Sequence, residues 1–388
     1  MGKQSQAGII NEKCDKLPPN MGYHRIVVKL GTSTLTAGTS QLSAPRLVEL
    51  VRQMAALHTK GVELVLVTSG AMAAGRAQLN FPALPKDIPA KQMLAAIGQP
   101  RLMALYEQLF GLYSITVAQV LLTRADLSDR RRYLNSRNTL AALLTQRVLP
   151  IINENDTVAT EEIRLGDNDN LSALVANLIE ADLLALLTDQ PGLFTADPRR
   201  DPQARMITEI REPEIPEALW QAAGGSSSRL GTGGMLTKLQ AADLARRSGA
   251  TVIITQGGEA EVLTRLATGE LLGTRFLPAT TALEGRKRFL LAGQQSAGSL
   301  TVDNGAAQAL RNGGSLLPVG VKSVAGSFER GDTVRIMDGS EREIGRGLVN
   351  YAADDLKRLC GQQSSQIESI LGYAYGDEVI HRNNMVLL

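Results

Sequence analysis

The sequence predicts an α/β fold, a mainly parallel sheet covered by helices on both faces, followed by a small C-terminal β-barrel. Three observations carry this. Strand-like and helix-like patterns alternate from residue 24 to about 266, as they do in parallel sheets wrapped by helices. Residues 183–187 read Leu-Leu-Ala-Leu-Leu, apolar at every position, which suits a strand buried on both faces. Across residues 276–289 the character changes, and short strands at 298–302, 320–324, 333–337 and 343–349 then alternate with Gly-rich turns, the pattern of a small barrel.

Length and composition set the outer bounds. A chain of 388 residues has room for two domains. With 44% hydrophobic residues and a net charge of +2, nothing drives it as a whole toward nucleic acid or acidic membranes. There is no apolar run of membrane-spanning length and no signal-peptide pattern. Cys14 and Cys360 lie far apart without metal-ligand spacing, and with three histidines a zinc site is not expected. These features fit a reduced, cytoplasmic enzyme.

Residues 1–21 are polar and aperiodic and read as a disordered leader, with Met21 an equally good start. The β-rich run 24–30 places Lys29 just before Gly31-Thr32-Ser33. A lone lysine is most often solvated, but a glycine turn after a buried strand brings backbone amides close to an anion such as phosphate. A helix over 44–58 and a strand over 63–68 follow. Ser69-Gly70-Ala71 then opens another helix, the geometry in which amides and helix dipole favour a carboxylate or phosphate. An amphipathic helix is expected at 91–110, a strand at 114–122, and a helix that Arg130-Arg131-Arg132 precede as a solvated face. The strand 149–152 delivers Asn153-Glu154-Asn155-Asp156 to the sheet edge.

Gly166-Asp167-Asn168-Asp169-Asn170 arrives at that same edge. Apolar residues at Leu171, Leu174, Val175, Leu178 and Ile179 give the next stretch one buried helical face. Asp169 or Asn170 is the expected N-cap. Two carboxylates and two carboxamides thus crowd a helix start beside strand carboxyl ends, where open α/β sheets bind ligands; a polar helix cap is the plainer alternative. The strand 183–187 ends in Thr188-Asp189. Gly231-Thr232-Gly233-Gly234-Met235-Leu236-Thr237-Lys238 is not a Walker A loop, yet it offers mobile amides, a hydroxyl and a cation one turn into a helix. The strand 251–255 and helix 259–266 close this unit.

Six segments in this order are together specific, although each is modest alone: Val-Val-Lys29-Leu-Gly-Thr-Ser, Val-Thr-Ser69-Gly-Ala, Ile-Asn153-Glu-Asn-Asp156, Gly-Asp167-Asn168-Asp169-Asn-Leu-Ser, Leu-Thr188-Asp189 and Gly-Thr-Gly-Gly-Met-Leu-Thr-Lys238. On these residues the region 24–276 resembles the amino acid kinase family. Residues 296–388, with Thr301-Val302-Asp303-Asn304-Gly305-Ala306 and Ser315-Leu316-Leu317-Pro318-Val319-Gly320-Val321, resemble the PUA domain carried by the members that act on free glutamate. The resemblance implies a catalytic domain at 22–276, a linker at 277–295 and a PUA domain at 296–388.

The implied reaction moves the γ-phosphoryl group of MgATP to the side-chain carboxylate of L-glutamate, the first step toward proline. The resemblance gives Lys29, Lys238 and Asp169 the catalytic roles, with Asp169 holding the two ammonium groups. Ser69, Asn153, Asp156, Asp167 and Asn168 would form the glutamate pocket. ATP would be held by Lys29, Thr188, Asp189, Thr232, Gly233, Gly234, Met235, Leu236, Thr237 and Lys238. Mg²⁺ would sit on phosphates and water, without a protein ligand. Also implied are inhibition by L-proline, a homo-oligomer formed through the kinase domain and transient contact with glutamyl phosphate reductase.

Two rivals stand beside this reading. The same fold could phosphorylate acetylglutamate, aspartate, carbamate or a nucleoside monophosphate, although an acetylated amine has no use for Asp156 and Asp167. PUA domains also occur on RNA-binding proteins. However, residues 286–388 carry 12 Lys+Arg against 11 Asp+Glu, without the basic excess of an RNA reader.

Overall fold

The computed structural model describes residues 21–85, 87–159, 168–198, 201–224, 234–279 and 296–388. The N-terminal leader, the Gly166-Asp167 pair, the Thr232-Gly233 pair and most of the 277–295 linker lie outside them.

Among the described residues, ten strands precede residue 277: β1 (Arg25–Leu30), β2 (Glu63–Thr68), β3 (Val117–Leu122), β4 (Leu149–Glu154), β5 (Leu183–Thr188), β6 (Leu193–Phe194), β7 (Met206–Ile207), β8 (Glu209–Ile210), β9 (Thr251–Gln256) and β10 (Thr274–Phe276). Eight of them form one sheet in the order β3-β4-β2-β1-β5-β9-β10-β8. All pairings from β3 to β9 are parallel, and β10 reverses against β9. Short β10, β8 and the β6–β7 ribbon were not read from the sequence, because two or three residues carry no periodicity.

Strand side chains alternate between two cores, as a period of two requires. Ile26, Val28 and Leu30 of β1 join one cluster with Leu64, Leu66, Leu183, Ala185 and Leu187. Val27, Val65, Val67, Leu184 and Leu186 point into the other. Helices Ala44–Thr59 and Ile88–Gly111 cover the first face through Leu47, Met54, Leu102, Tyr106 and Phe110. Helices Arg130–Thr145, Asn168–Leu178 and Met235–Arg246 cover the second through Leu140, Leu144, Leu171, Val175 and Leu239.

Three local expectations are corrected. The helix after the acidic loop begins at Asn168, so Asp169 and Asn170 lie inside its first turn and are not its cap. The side chain of Asp169 is drawn inward by two lysines instead. The three arginines do not precede their helix but form its first turn, behind Asp129, whose carboxylate accepts from the Arg132 amide at 2.9 Å. The strand expected at 114–122 starts only at Val117, after Ser114 at φ 56°.

One crossing is unusually close. Helices Ala71–Gln78 and Ile88–Gly111 meet at Gly75 and Gly98. A Cβ on Gly98 would stand 1.8 Å from the Ala71 carbonyl oxygen, and one on Gly75 would stand 2.0 Å from that of Leu94.

The C-terminal unit is a second sheet, in the order β12-β11-β13-β14-β15: β11 (Gly298–Val302), β12 (Val321–Gly326), β13 (Thr333–Met337), β14 (Glu343–Leu348) and β15 (Met385–Leu387). It rests on helix Arg130–Thr145. There Leu134 packs with Leu348 and Val386, and Arg130 Nη1 donates to Thr333 Oγ1 at 2.9 Å. Arg330 donates to Asn135 Oδ1, and its guanidinium lies 3.8 Å from the centroid of the Tyr375 ring.

Candidate active site

Because β1, β2, β4 and β5 run parallel with Leu30 level with Thr68 and Leu187, their carboxyl ends open on one edge. Lys29, Ser69, Asn153 and Thr188 come together there from positions far apart in sequence. Helices Asn168–Leu178 and Met235–Arg246 have their N-termini at this edge, and helix Ala71–Gln78 starts directly after Ser69 and Gly70. Three helix N-termini bias the edge toward anions.

At its centre lies Asp169, 1% exposed. Lys29 Nζ is 2.5 Å from its Oδ1, and Lys238 Nζ is 3.1 Å from its Oδ2. Thr237 also donates to Oδ2 at 2.8 Å. Burial opposes ionisation of this carboxyl, but Lys29 and Lys238 together outweigh it and hold it down to about 2. It is therefore a carboxylate at any ordinary pH and cannot serve as a general base. Both lysines are buried as well. The trio carries a net positive charge out of bulk water, where charge acts strongly on a passing anion.

Asn168, next in sequence, faces the other way. Its Nδ2 donates to the Thr68 carbonyl at 2.8 Å, to Asn153 Oδ1 at 2.9 Å and to Ser69 Oγ at 3.0 Å. Asn153 in turn donates through Nδ2 to Gln99 Oε1 at 2.8 Å. This network fixes the wall of a cleft of about 170 Å³ lined by Thr32, Ser69, Asn153, Glu154, Asp156 and Asn168, among others. Gly70, at φ +104°, lets the chain turn from β2 into the lip of this cleft. Burial pushes the Asp156 carboxyl up to about 6.

A second cleft of about 280 Å³ lies on the other side of the short helix Thr32–Thr36 that follows β1. Ser33, Thr34, Thr188, Asp189 and Gln256 contribute to it. Consecutive residues Thr32 and Ser33 thus face different clefts, which makes the start of this helix the divide between them.

Of the residues singled out in the sequence, Lys29, Asp169 and Lys238 meet at the centre. Ser69, Asn153, Asp156 and Asn168 share the first cleft, and Thr188 and Asp189 share the second. Gly234 caps the helix that carries Met235, Leu236, Thr237 and Lys238. Asp167, Thr232 and Gly233 lie outside the described residues. Sequence reasoning missed Thr32 and Glu154 in the first cleft, although both stand within segments it quoted. It also missed Gln99, whose helix position carries no pattern that marks it. Among the described residues there is no group of three or more His, Cys, Asp or Glu side chains able to hold a metal ion, and no helix is long and apolar enough to cross a membrane.

Residues 24–256 match the amino acid kinase family, and residues 298–371 match the PUA domain. The glutamate 5-kinase of Shewanella amazonensis is 55% identical over 368 residues, covering 95% of this chain and 97% of that protein. That of Photobacterium profundum is 54% identical over 373 residues, covering 96% and 97%. That of Deinococcus radiodurans is 54% identical over 365 residues, covering 94% and 100%.

Proposed function

The chain belongs to the amino acid kinase family, in its glutamate 5-kinase branch with a C-terminal PUA domain, and from that premise we propose how its residues divide the work. The reaction is transfer of a phosphoryl group from ATP to the side-chain carboxylate of L-glutamate, which yields L-glutamyl 5-phosphate on the way to proline. The first cleft takes glutamate and the second takes the nucleotide. The phosphoryl group passes over the start of the helix Thr32–Thr36, beside Lys29 and Lys238. The observation that carries this division is the Lys29–Asp169–Lys238 trio, positive overall, at the edge where the two clefts adjoin.

The chemistry asks for no more. A glutamate side chain with an ordinary pKa of about 4.3 is already ionised at neutral pH, so no proton has to be removed. The barrier is an anion approaching an anion, and it falls to positioning and positive charge. Lys29 and Lys238 supply that charge, while Asp169 fixes both ammonium groups and is never itself protonated. Both Asp169 oxygens are engaged by these lysines and Thr237, so this carboxylate is not offered to a metal. Mg²⁺, bound on the nucleotide's phosphates, would supply further positive charge there, with no side chain of this site required to hold it. The enzyme works in the cytoplasm, as a homo-oligomer formed through residues 22–276, with 277–295 leading to the PUA domain at 296–388.

Trapping of the acyl phosphate by hydroxylamine tests the reaction. Hydroxamate should form with ATP and L-glutamate, and far less with N-acetyl-L-glutamate, whose amide cannot pair with Asp156. Absence of hydroxamate with L-glutamate would overturn the assignment.

Asp156 gives this reading a pH signature. Its carboxyl is held near 6 by burial, and only its ionised form attracts the substrate ammonium. The KM for glutamate should therefore climb as pH falls through 6, while the KM for ATP changes little. Asp156→Asn should raise the glutamate KM and flatten the climb. The same shift bears on stability with the opposite sense. Between the usual carboxylate pKa of about 4 and about 6, the unfolded chain ionises while the fold retains the proton, so this group's contribution falls as pH rises.

L-Proline shares glutamate's α-amino acid head but has no carboxylate to accept phosphate. It should compete for the first cleft, and raising glutamate should relieve the inhibition. Superimposable glutamate saturation curves with and without millimolar proline would dismiss this. Transient contact with glutamyl phosphate reductase would hand over a labile product.

A further inference from the structure

We propose that Arg46 is a further nucleotide-binding residue, which holds the diphosphate part of the donor and so remains on ADP after transfer. The proposal rests on the reading of the Thr188 and Asp189 cleft as the nucleotide side.

Four observations support it. Arg46 is the only lysine or arginine among the described residues lining that cleft, and Asp189 is the only carboxylate. A diphosphate lying against that lining would meet the carboxylate of Asp189, and Arg46 is the one cationic side chain the lining sets against it. The guanidinium is already oriented: Nη1 donates to the Gly257 carbonyl at 2.9 Å, and Gly258 packs so closely that a Cβ on it would come within 3.2 Å of Nη2. One of its five N–H donors is thereby spent and the others remain for an anion.

The acid one turn along the helix, Glu49, lies within range of the Arg46 charge but makes no ion pair with it. Glu49 is bound by Arg52 at 2.8 Å and by Gln53 at 2.8 Å, and no carboxylate among the described residues is in salt-bridge contact with Arg46. Finally, Arg46 is the third residue of helix Ala44–Thr59, whose first turn contains no acid. A cation at a helix N-terminus opposes the helix dipole. An anion bound there would meet both favourably, whereas a purely structural tie to Gly257 gains nothing from that placement.

The test compares ADP and AMP binding to the full chain by calorimetry, in the wild-type protein and in Arg46→Ala, Arg46→Lys and Asp189→Ala. Loss of a charge-assisted contact should weaken ADP by about tenfold to a hundredfold in Arg46→Ala. AMP affinity should stay within about threefold of wild type on the same argument, since AMP lacks the second phosphate. Arg46→Lys, which keeps the charge and loses the fork, should fall between. Melting temperatures of the variants check that Arg46 is not simply holding the Gly257 loop. Equal weakening of ADP and AMP, or a collapse in stability that accounts for the loss, overturns the diphosphate contact. Unchanged ADP binding in Arg46→Ala alone overturns the role of Arg46. Unchanged binding in both Arg46→Ala and Asp189→Ala overturns the nucleotide reading of the cleft as well.

Discussion

Lys238→Ala should lower kcat by about 10²–10³, the usual cost of deleting one electrostatic stabiliser of a transition state, and Lys29→Ala should do the same. The fold should survive either change. After loss of Lys238, Asp169 still has Lys29 at 2.5 Å and Thr237 at 2.8 Å, so no buried charge is left alone. Asp169→Asn reverses the balance. Two lysines that are 5% and 7% exposed would lose the counter-charge they share, and breaking a buried pair in that way costs about 3–5 kcal/mol. For a domain of this size that amounts to roughly 10 °C in Tm. The variants therefore separate chemistry from scaffolding. Steady-state kinetics with thermal melts on all three decide it, and near-normal turnover in either lysine variant would remove both lysines from the proposed mechanism.

Gly98→Ala is expected to be the most damaging single methyl group in the catalytic domain. The added Cβ would sit 1.8 Å from the Ala71 carbonyl oxygen and 2.5 Å from the Gly75 amide nitrogen. Even a weak C–H···O contact needs about 3.3 Å, so helices Ala71–Gln78 and Ile88–Gly111 must separate by more than an ångström. The opposing atoms are backbone and cannot rotate away. Overpacking of this kind costs about 3 kcal/mol or more. Because Ala71 belongs to the lip of the cleft proposed for glutamate, the damage should also appear as a raised glutamate KM with the ATP KM preserved. Denaturant titration and the two KM values test this together. An unchanged midpoint with unchanged KM values would mean that the crossing is looser than described.

What the sequence made legible follows from the physics of each signal. Strands β2, β11 and β13 match their expected bounds, because buried strands are written as short apolar runs between turn residues. The described parts of the six segments converge because parallel strands deliver their carboxyl ends, and two helices their N-termini, to one edge. Other features are harder to read. The Asp169 side chain looked like a cap because an acid near a helix start usually is one. Its two lysine partners are 140 and 69 residues away in the chain, and periodicity cannot see them. The helix Asn304–Arg311 follows Asp303, which accepts from the Ala306 amide at 2.7 Å. That cap was visible in the sequence but was passed over among the strands. Gln99 is found only through its hydrogen bond to Asn153.

The sheet order has a consequence for synthesis. β1 lies at the centre of the large sheet and is the first strand of the described residues to leave the ribosome, yet one of its two neighbours, β5, begins about 150 residues later. At translation rates of about 5–20 residues per second, β1 waits roughly 8–30 seconds with one edge unpaired. During that interval β1, β2, β3 and β4 can already assemble, but the strand that carries Lys29 presents open backbone amides and carbonyls on an apolar ribbon. Such an edge can template wrong pairings with other nascent chains. Slow codons between residues 155 and 182 would prolong this exposure, and a trigger-factor-like holdase bound to the emerging half would shield it.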